Sequence, residues 1–351
     1  MEDSTETKQT EKQAKSEPIE TPIEKPLEKP LRYLQVKHPH SRDKRIKFYT
    51  EGHKYEVDFK GDGTFESNDI LSASTMTKVF FPEFKSDEVI GTMMEHANFE
   101  KNHKDLVGLT ADQIKEKWKA MGEEARNLGT ELHSEIECIL NEEKQLVCSS
   151  PELKLFSDFT KLAEESKCVP YRTECFVFTD DDTRVAGAID CLYVDTEKTL
   201  GFNPGNYLYV KIVDWKRIKA VKKWNSQRVC GFGPCSRIMS ANYFEYSITQ
   251  HIYKHILENY YHEPSWNGKV YSKFIVTKLY LCPLHPSKKK LVLEECVDYS
   301  KEVNAIFELR KQSLQKKRNG EKELYPFDRS VAEVVPTGNR PAVVEFDYDQ
   351  L

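Results

Sequence analysis

The chain predicts an α+β (mixed α/β) domain built on one central sheet flanked by helices. Three observations lead there. Apolar residues recur at helical spacing through a long segment near 110–140, three β-type runs follow one another between 171 and 215, and helix and strand patterns then alternate as far as 318. At 351 residues with 38% apolar content the chain is long enough to bury a sizeable core.

The elements read in order as follows. Ile46 to Phe59 alternates apolar and polar residues and breaks at Gly61-Asp62-Gly63, which predicts a small hairpin turning there. Short helices are expected around Ala73–Phe80 and Asp87–His96, punctuated by Pro82. Thr110-Ala111-Asp112-Gln113 reads as a capping box. Ile114, Trp118, Met121, Ala125, Leu128, Leu132, Ile136 and Leu140 follow as one apolar stripe, with a kink expected near Gly122 or Gly129. Ser150-Pro151 opens another helix through Phe156, Phe159 and Leu162. Tyr171–Phe178, Arg184–Val194 and Tyr207–Trp215 predict a strand meander. A helix from Tyr243 to Tyr260, strands near Phe274–Cys282 and Lys290–Val297, and a basic helix over Lys301–Arg318 complete the order.

The ends read differently. Residues 1–30 carry five Lys against eight Asp or Glu, with repeated Glu-Lys-Pro elements and no aromatics, the composition of a solvated, disordered tail. The expected organisation is therefore a tail at 1–30, one domain over 31–330 whose first part (31–110) is a β/helical extension, and a C-terminal tail at 331–351. The tail's charge of 5 − 8 = −3, set against −5 for the chain, leaves −2 for the remainder. Bulk charge therefore neither favours nor excludes a polyanionic partner. Nine cysteines without a Cys-x-x-Cys pair, no apolar signal segment and no membrane-length apolar run are what a soluble intracellular protein with free thiols would show.

Candidate chemistry concentrates in three places. Asp190 closes the run Val185-Ala186-Gly187-Ala188-Ile189-Asp190, and Tyr207–Val213 delivers Asp214-Trp215-Lys216. Residues i and i+2 of a strand share a face, so Asp214 and Lys216 face one site while Trp215 packs on the other side. Upstream, His133 and Glu137 lie one turn apart on the long helix, each within reach of a metal. Two carboxylates suit the hard-oxygen preference of Mg²⁺ or Mn²⁺, and a neighbouring lysine suits an attacking water or scissile phosphate, deprotonating the water if local positive charge lowers its pKa. Asp190, Asp214 and Lys216 thus point to metal-dependent phosphodiester hydrolysis. Taken singly, each residue also fits a turn cap, an ion pair or plain solvation. Arg217, Lys219, Lys222 and Lys223, closed by Trp224, form a basic run with an aromatic neighbour that suits a phosphate backbone and an unstacked base.

These residues, taken together, resemble the RecB-like branch of the PD-(D/E)XK nuclease superfamily, especially exonuclease-like proteins of large DNA viruses and phages, over roughly Tyr49 to Cys296. Gly129-Thr130-x-x-His133-x-x-x-Glu137 resembles the family's first motif. Arg172-Thr173-Glu174 with Phe176-Val177-Phe178 is similar to its first core strand. Ala186–Asp190 looks like the motif supplying a metal-binding acid, and Ile212–Arg217 like the Asp/Glu-x-Lys motif. The resemblance implies a restriction-endonuclease-like sheet, metal ligation by His133, Asp190, Asp214 and the Trp215 carbonyl, and catalysis by Lys216. Glu137, Glu174, Gln250 and Tyr253 would support the site. The family's Gln-x-x-x-Tyr pair finds Tyr253 in place, but Thr249 stands where the glutamine belongs and Gln250 follows one position later. The implied activity is a Mg²⁺- or Mn²⁺-dependent deoxyribonuclease acting on DNA, an exonuclease in recombination, repair or replication working alongside proteins of those processes, in a host cytoplasm or nucleus if viral. A catalytically weakened nucleic-acid-binding module on the same fold is the competing expectation.

Overall fold

A computed structural model describes residues 32–225 and 228–327; the expected tails at 1–30 and 331–351 lie outside the described residues. In chain order the elements are α1 (Tyr33–Lys37), β1 (Ile46–Tyr49), β2 (Lys54–Val57), β3 (Leu71–Ser72), α2 (Ala73–Lys78), α3 (Ser86–Glu95), α4 (Phe99–Asn102), α5 (Ala111–Leu140) and α6 (Pro151–Glu165). Then come β4 (Cys168–Phe178), β5 (Val185–Asp195), α7 (Thr196–Leu200), β6 (Leu208–Lys216), α8 (Asn242–Tyr260), β7 (Ser265–Trp266), β8 (Lys269–Val270), β9 (Phe274–Pro283), β10 (Glu294–Glu295) and α9 (Ser300–Arg318). The fold is α+β with a mixed sheet, as the order of patterns predicts.

The central sheet runs β10-β9-β6-β5-β3, with β4 also paired to β5. β4, β5 and β6 form the expected antiparallel meander, while β9 joins β6 in parallel. Helices cover both faces. On one, Ile248, Ile252 and Ile256 of α8 pack against Ile189, Leu192, Val210 and Ile212. On the other, Leu132 and Ile136 of α5 and Phe156 and Phe159 of α6 pack against Cys191, Tyr193, Val213 and Trp215. The long strands β5, β6 and β9 are therefore apolar on both faces, which is why these segments read as nearly continuous apolar runs.

Four local expectations need correction. The Ile46–Phe59 run is not one strand but the hairpin of β1 and β2, turning at Thr50–His53; the expected reversal at Gly61–Gly63 follows it, closed by the antiparallel bridge of Val57 and Glu66, with the Gly61 and Gly63 N–H groups donating to the Asp58 carboxylate at 2.7 and 3.0 Å. The strand expected over Lys290–Val297 shrinks to Glu294–Glu295 at a sheet edge. The long helix α5 runs unbroken through Gly122 and Gly129, with open space beside both. Its apolar stripe also serves two cores: Ile114 packs with Ile90 and Leu106 in a small outlying cluster, Leu132 and Ile136 pack on the sheet, and Met121 between them is 55% exposed. Periodicity reports a helix but not how many partners share its face. No described helix is long and apolar enough to cross a membrane.

Candidate metal centre

The site begins with a split in the sheet. β4 pairs with β5 along one edge from Asp195 to Ala186. On the other edge β6 pairs only with Cys191–Val194 and β3 only with Val185 and Ala186. Gly187 to Asp190 are left between them, so Asp190 lies inside β5, within the expected Arg184–Val194 strand, just where the pairing with β6 stops. The pleat also slips here: Ile189 and Leu192 both belong to the α8-side core, although strict alternation would put them on opposite faces. Directly across, between the pairs Thr173–Cys191 and Cys175–Ile189, Glu174 has φ 41°, a conformation a non-glycine residue rarely adopts inside a strand. The two irregularities share one register and bring both carboxylates toward α5.

His133 of α5 meets them. Its Nδ1 lies 3.6 Å from Asp190 Oδ2 and 3.7 Å from Glu174 Oε1, and its Nε2 donates to the Trp215 carbonyl at 3.0 Å. That bond fixes which ring nitrogen faces the acids. His133, Glu174 and Asp190 each offer a ligand atom within 4.8 Å of the others. The Trp215 carbonyl, expected as a ligand, is taken by the imidazole and orients it, while the Trp215 N–H donates to Asp190 Oδ2 at 2.9 Å. Thus β6 anchors the acid just where its ladder with β5 stops. The Trp215 side chain packs edge-on against Phe156 and Phe159, 5.5 and 4.9 Å between ring centres, on the face opposite Asp214 and Lys216.

Asp214 stands apart from that triad. Its Oδ2 lies 2.7 Å from Lys216 Nζ, close but without a well-aligned hydrogen bond, and its Oδ1 accepts from Gln250 Nε2 at 2.9 Å. Gln250 thus reaches the site from a position the family pattern does not use, while Thr249 ties α8 to α2 through Thr77 at 2.9 Å. The Tyr246 ring lies 5.1 Å from the Lys216 ammonium. Tyr253 is buried against Gly187, where a Cβ would fall 2.6 Å from the Tyr253 ring, so glycine is required for this close approach.

Electrostatics set the site's character. Burial pushes Asp190 upward against the pull of His133 and Lys216, and burial raises Asp214 to about 6 in spite of Lys216. Although burial opposes it, the Asp190 charge and the Glu174 contact raise the His133 imidazole to about 9. Lys216 is also raised: burial works against its charge, but Asp214 and Asp190 outweigh it. The expectation that local positive charge would lower the lysine is thereby reversed, because its neighbours are acids. Three carboxylates, Glu174, Asp190 and Asp214, face the Lys216 ammonium and the His133 imidazolium, an excess of 3 − 2 = 1 negative charge; displacing the His133 proton, as ligation requires, makes it 3 − 1 = 2. Carboxylate and imidazole donors with a two-charge deficit fit a divalent cation. The buried Gln250 Oε1, without a partner among the described residues, adds an acceptor pointing into the same polar region.

No family model matches the sequence, and no curated protein matches it. Of the other expected site residues, Glu137 is buried beside Arg32 at 3.4 Å and lies outside the triad. Arg217 pairs with Glu152 of α6 at 3.1 Å, not with Asp214. Lys223 pairs with Glu294 at 3.0 Å. Lys219, Lys222 and Trp224 are exposed, with the Arg228 guanidinium 5.4 Å from the Trp224 ring centre. Sequence reasoning gave Glu174 only a supporting role; its promotion rests on a backbone conformation that no residue pattern announces.

Proposed function

We propose that the chain is a metal-dependent deoxyribonuclease of the PD-(D/E)XK type, RecB-like branch, with a restriction-endonuclease-like core, acting as an exonuclease in DNA recombination, repair or replication. The observation that carries the reading is the triad His133, Glu174 and Asp190 at the sheet split, placed beside the buried Asp214–Lys216 pair. His133 Nδ1, Glu174 and Asp190 would hold Mg²⁺ or Mn²⁺, with Asp214 adding negative charge next to it. When bound, the ion supplies Lewis-acid polarisation of the phosphate and eases deprotonation of water.

The chain's own residues have separable tasks. Lys216, held as an ammonium by Asp214, offers fixed positive charge to a phosphoryl oxygen as negative charge develops, the kind of preorganised stabilisation that is worth most in a water-poor site. It is not a general base in this arrangement. Gln250 fixes the Asp214 carboxylate, and the Trp215 carbonyl fixes the His133 ring.

Incubation with linear and circular, single- and double-stranded DNA tests the reading. Loss of linear substrates with Mg²⁺ or Mn²⁺, and none with EDTA, is the expected result. Equal loss of circular DNA would remove the exonuclease assignment. Metal-dependent binding of DNA without cleavage of any substrate would replace the enzyme by the nucleic-acid-binding module.

A further inference from the structure

The sheet brings together two basic segments that are far apart in sequence. β6 and β9 stay paired to their last residues, with Trp215 opposite Cys282 and Lys216 opposite Pro283, and the Leu284 N–H then donates to the Lys216 carbonyl at 2.8 Å. Two loops therefore leave the sheet side by side immediately beyond the catalytic lysine. The first carries Arg217, Lys219, Lys222, Lys223 and Trp224. The second carries Lys288, Lys289 and Lys290, after a turn closed by the Lys288 N–H to the His285 carbonyl at 2.9 Å and the Ser287 N–H to His285 Nδ1 at 3.1 Å.

Their charges converge. After burial, the largest influences holding the His285 imidazole below its ordinary value are Arg217 and Lys219 of the first loop, with Lys288 of its own loop acting the same way. Arg217 and Lys223 are neutralised by Glu152 and Glu294. Lys219, Lys222, Lys288, Lys289 and Lys290 make no ion pair among the described residues. The backbone of the first loop is also anchored: Lys222 N–H donates to Asn242 Oδ1 at the start of α8, at 2.6 Å, and the Lys222 carbonyl accepts from Tyr243. Asn242 is one helical turn from Tyr246, whose ring lies against Lys216. Just past this anchor Trp224 is 46% exposed. Like charges gathered on two adjacent, ordered loops repel one another unless a polyanion spans them, and the Trp224 indole, approached by the Arg228 guanidinium at 5.4 Å, offers its other π-face to an unstacked base.

We infer that the 217–224 and 284–290 loops form one groove that holds the phosphate backbone of a single nucleic-acid strand leaving the Lys216 site, with Trp224 as the stacking surface for an unpaired base. This rests on the nuclease reading for its substrate and extends it to a strand-specific grip. A double helix has its bases stacked already and gains nothing from the indole.

Anisotropy titrations of fluorescein-labelled DNA by the full chain, in EDTA and over a salt series, test the groove without any turnover. The single-stranded oligonucleotide is expected to bind more tightly than a blunt duplex of equal length. Joint Lys288→Gln, Lys289→Gln and Lys290→Gln substitution should lower the slope of log affinity against log salt by about 2 units, at roughly 0.7 per lost single-strand contact. The three Lys→Arg changes should leave the slope intact. Trp224→Ala should weaken single-strand binding about tenfold, and Lys311→Gln on α9 should change nothing. An unchanged slope in the triple glutamine variant, or a preference for the duplex, would overturn the groove. Strand binding that follows these expectations in a chain that cleaves nothing would sink the nuclease reading and leave the groove standing.

Discussion

Two buried ionic clusters lie along the same strand pair and differ in how well their charges are matched. Near the start of β4, the Arg172 guanidinium forks onto both oxygens of Asp43 at 3.0 and 3.1 Å and also donates to the His38 carbonyl. Asp43 accepts a further bond from the His40 N–H at 2.9 Å. One cation meets one anion in bidentate geometry, and the cluster ties the segment after α1 to the sheet. Two residues along β4, Glu174 and its neighbours hold three carboxylates against a lysine and a histidine. Matched charge is how a buried pair holds a fold together; unmatched charge is a strain that a ligand can relieve.

The contrast can be broken first at the unmatched end. Asp190→Ala or Asp214→Ala is expected to reduce cleavage by a factor of a hundred or more and to weaken Mn²⁺ binding in calorimetry. Because both carboxylates are held unfavourably, thermal unfolding should occur at the same temperature or higher. Wild-type Mn²⁺ affinity in both variants would remove them from the site. The matched end should respond in the opposite way: Asp43→Ala leaves Arg172 buried without its anion and should cost about 3–5 kcal/mol in urea unfolding, with metal affinity per folded molecule unchanged.

Smaller effects sharpen the comparison. Lys216→Ala should lower single-turnover cleavage by roughly a hundredfold while changing DNA affinity in Ca²⁺ by about one phosphate contact's share. If rate and affinity fell in proportion, Lys216 would be an ordinary backbone contact. His133→Ala should be milder than either acid, since imidazole is the least natural Mg²⁺ ligand of the set; its signature is an altered Mg²⁺ to Mn²⁺ activity ratio.

The matched cluster supplies the pH test. Burial, with help from Lys37 and Arg172, lowers the His38 imidazole to about 4, below its ordinary value, so the unfolded chain takes up the proton first as pH falls. The stability it contributes is complete above about pH 6.5 and is lost between there and about 4, by at most about 3 kcal/mol. The difference in unfolding free energy between wild type and His38→Asn should therefore shrink on going from pH 7 to 4.5. A constant difference would show that His38 does not titrate in this window.

The sequence was most legible where chemistry is local. The capping box at Thr110, the proline that opens α6, the three-strand meander and the Asp214-x-Lys216 alternation are each set by neighbours a few residues away, and each appears in the structure. Asp190 was legible as a residue and within its Arg184–Val194 strand, but not as part of a stretch left unpaired on one edge, since which residues a neighbouring strand leaves uncovered is set by long-range pairing. Glu174 was undervalued because its position depends on a positive φ. Gln250 departs from the spacing that the resemblance implies, yet α8 presents it to Asp214 while Thr249 turns to Thr77. The second basic loop was invisible because parallel pairing joins residues nearly seventy positions apart (283 − 216 = 67), a distance over which no local pattern speaks.

The long helix α5 has a mechanical consequence. Its C-terminal end is clamped to the sheet by Leu132 and Ile136, its N-terminal end carries the small cluster of Ile90, Leu106 and Ile114, and the stretch between is bare. From Ala111 to His133 the uninterrupted coil spans about 33 Å at 1.5 Å per residue. Its geometry is that of a lever with the clamp as fulcrum. A swing of about 10° would carry the far knob roughly 6 Å on this length and leave His133, seated at the pivot, almost where it was. Displacement of the outlying cluster would therefore leave the imidazole in registry with Glu174 and Asp190.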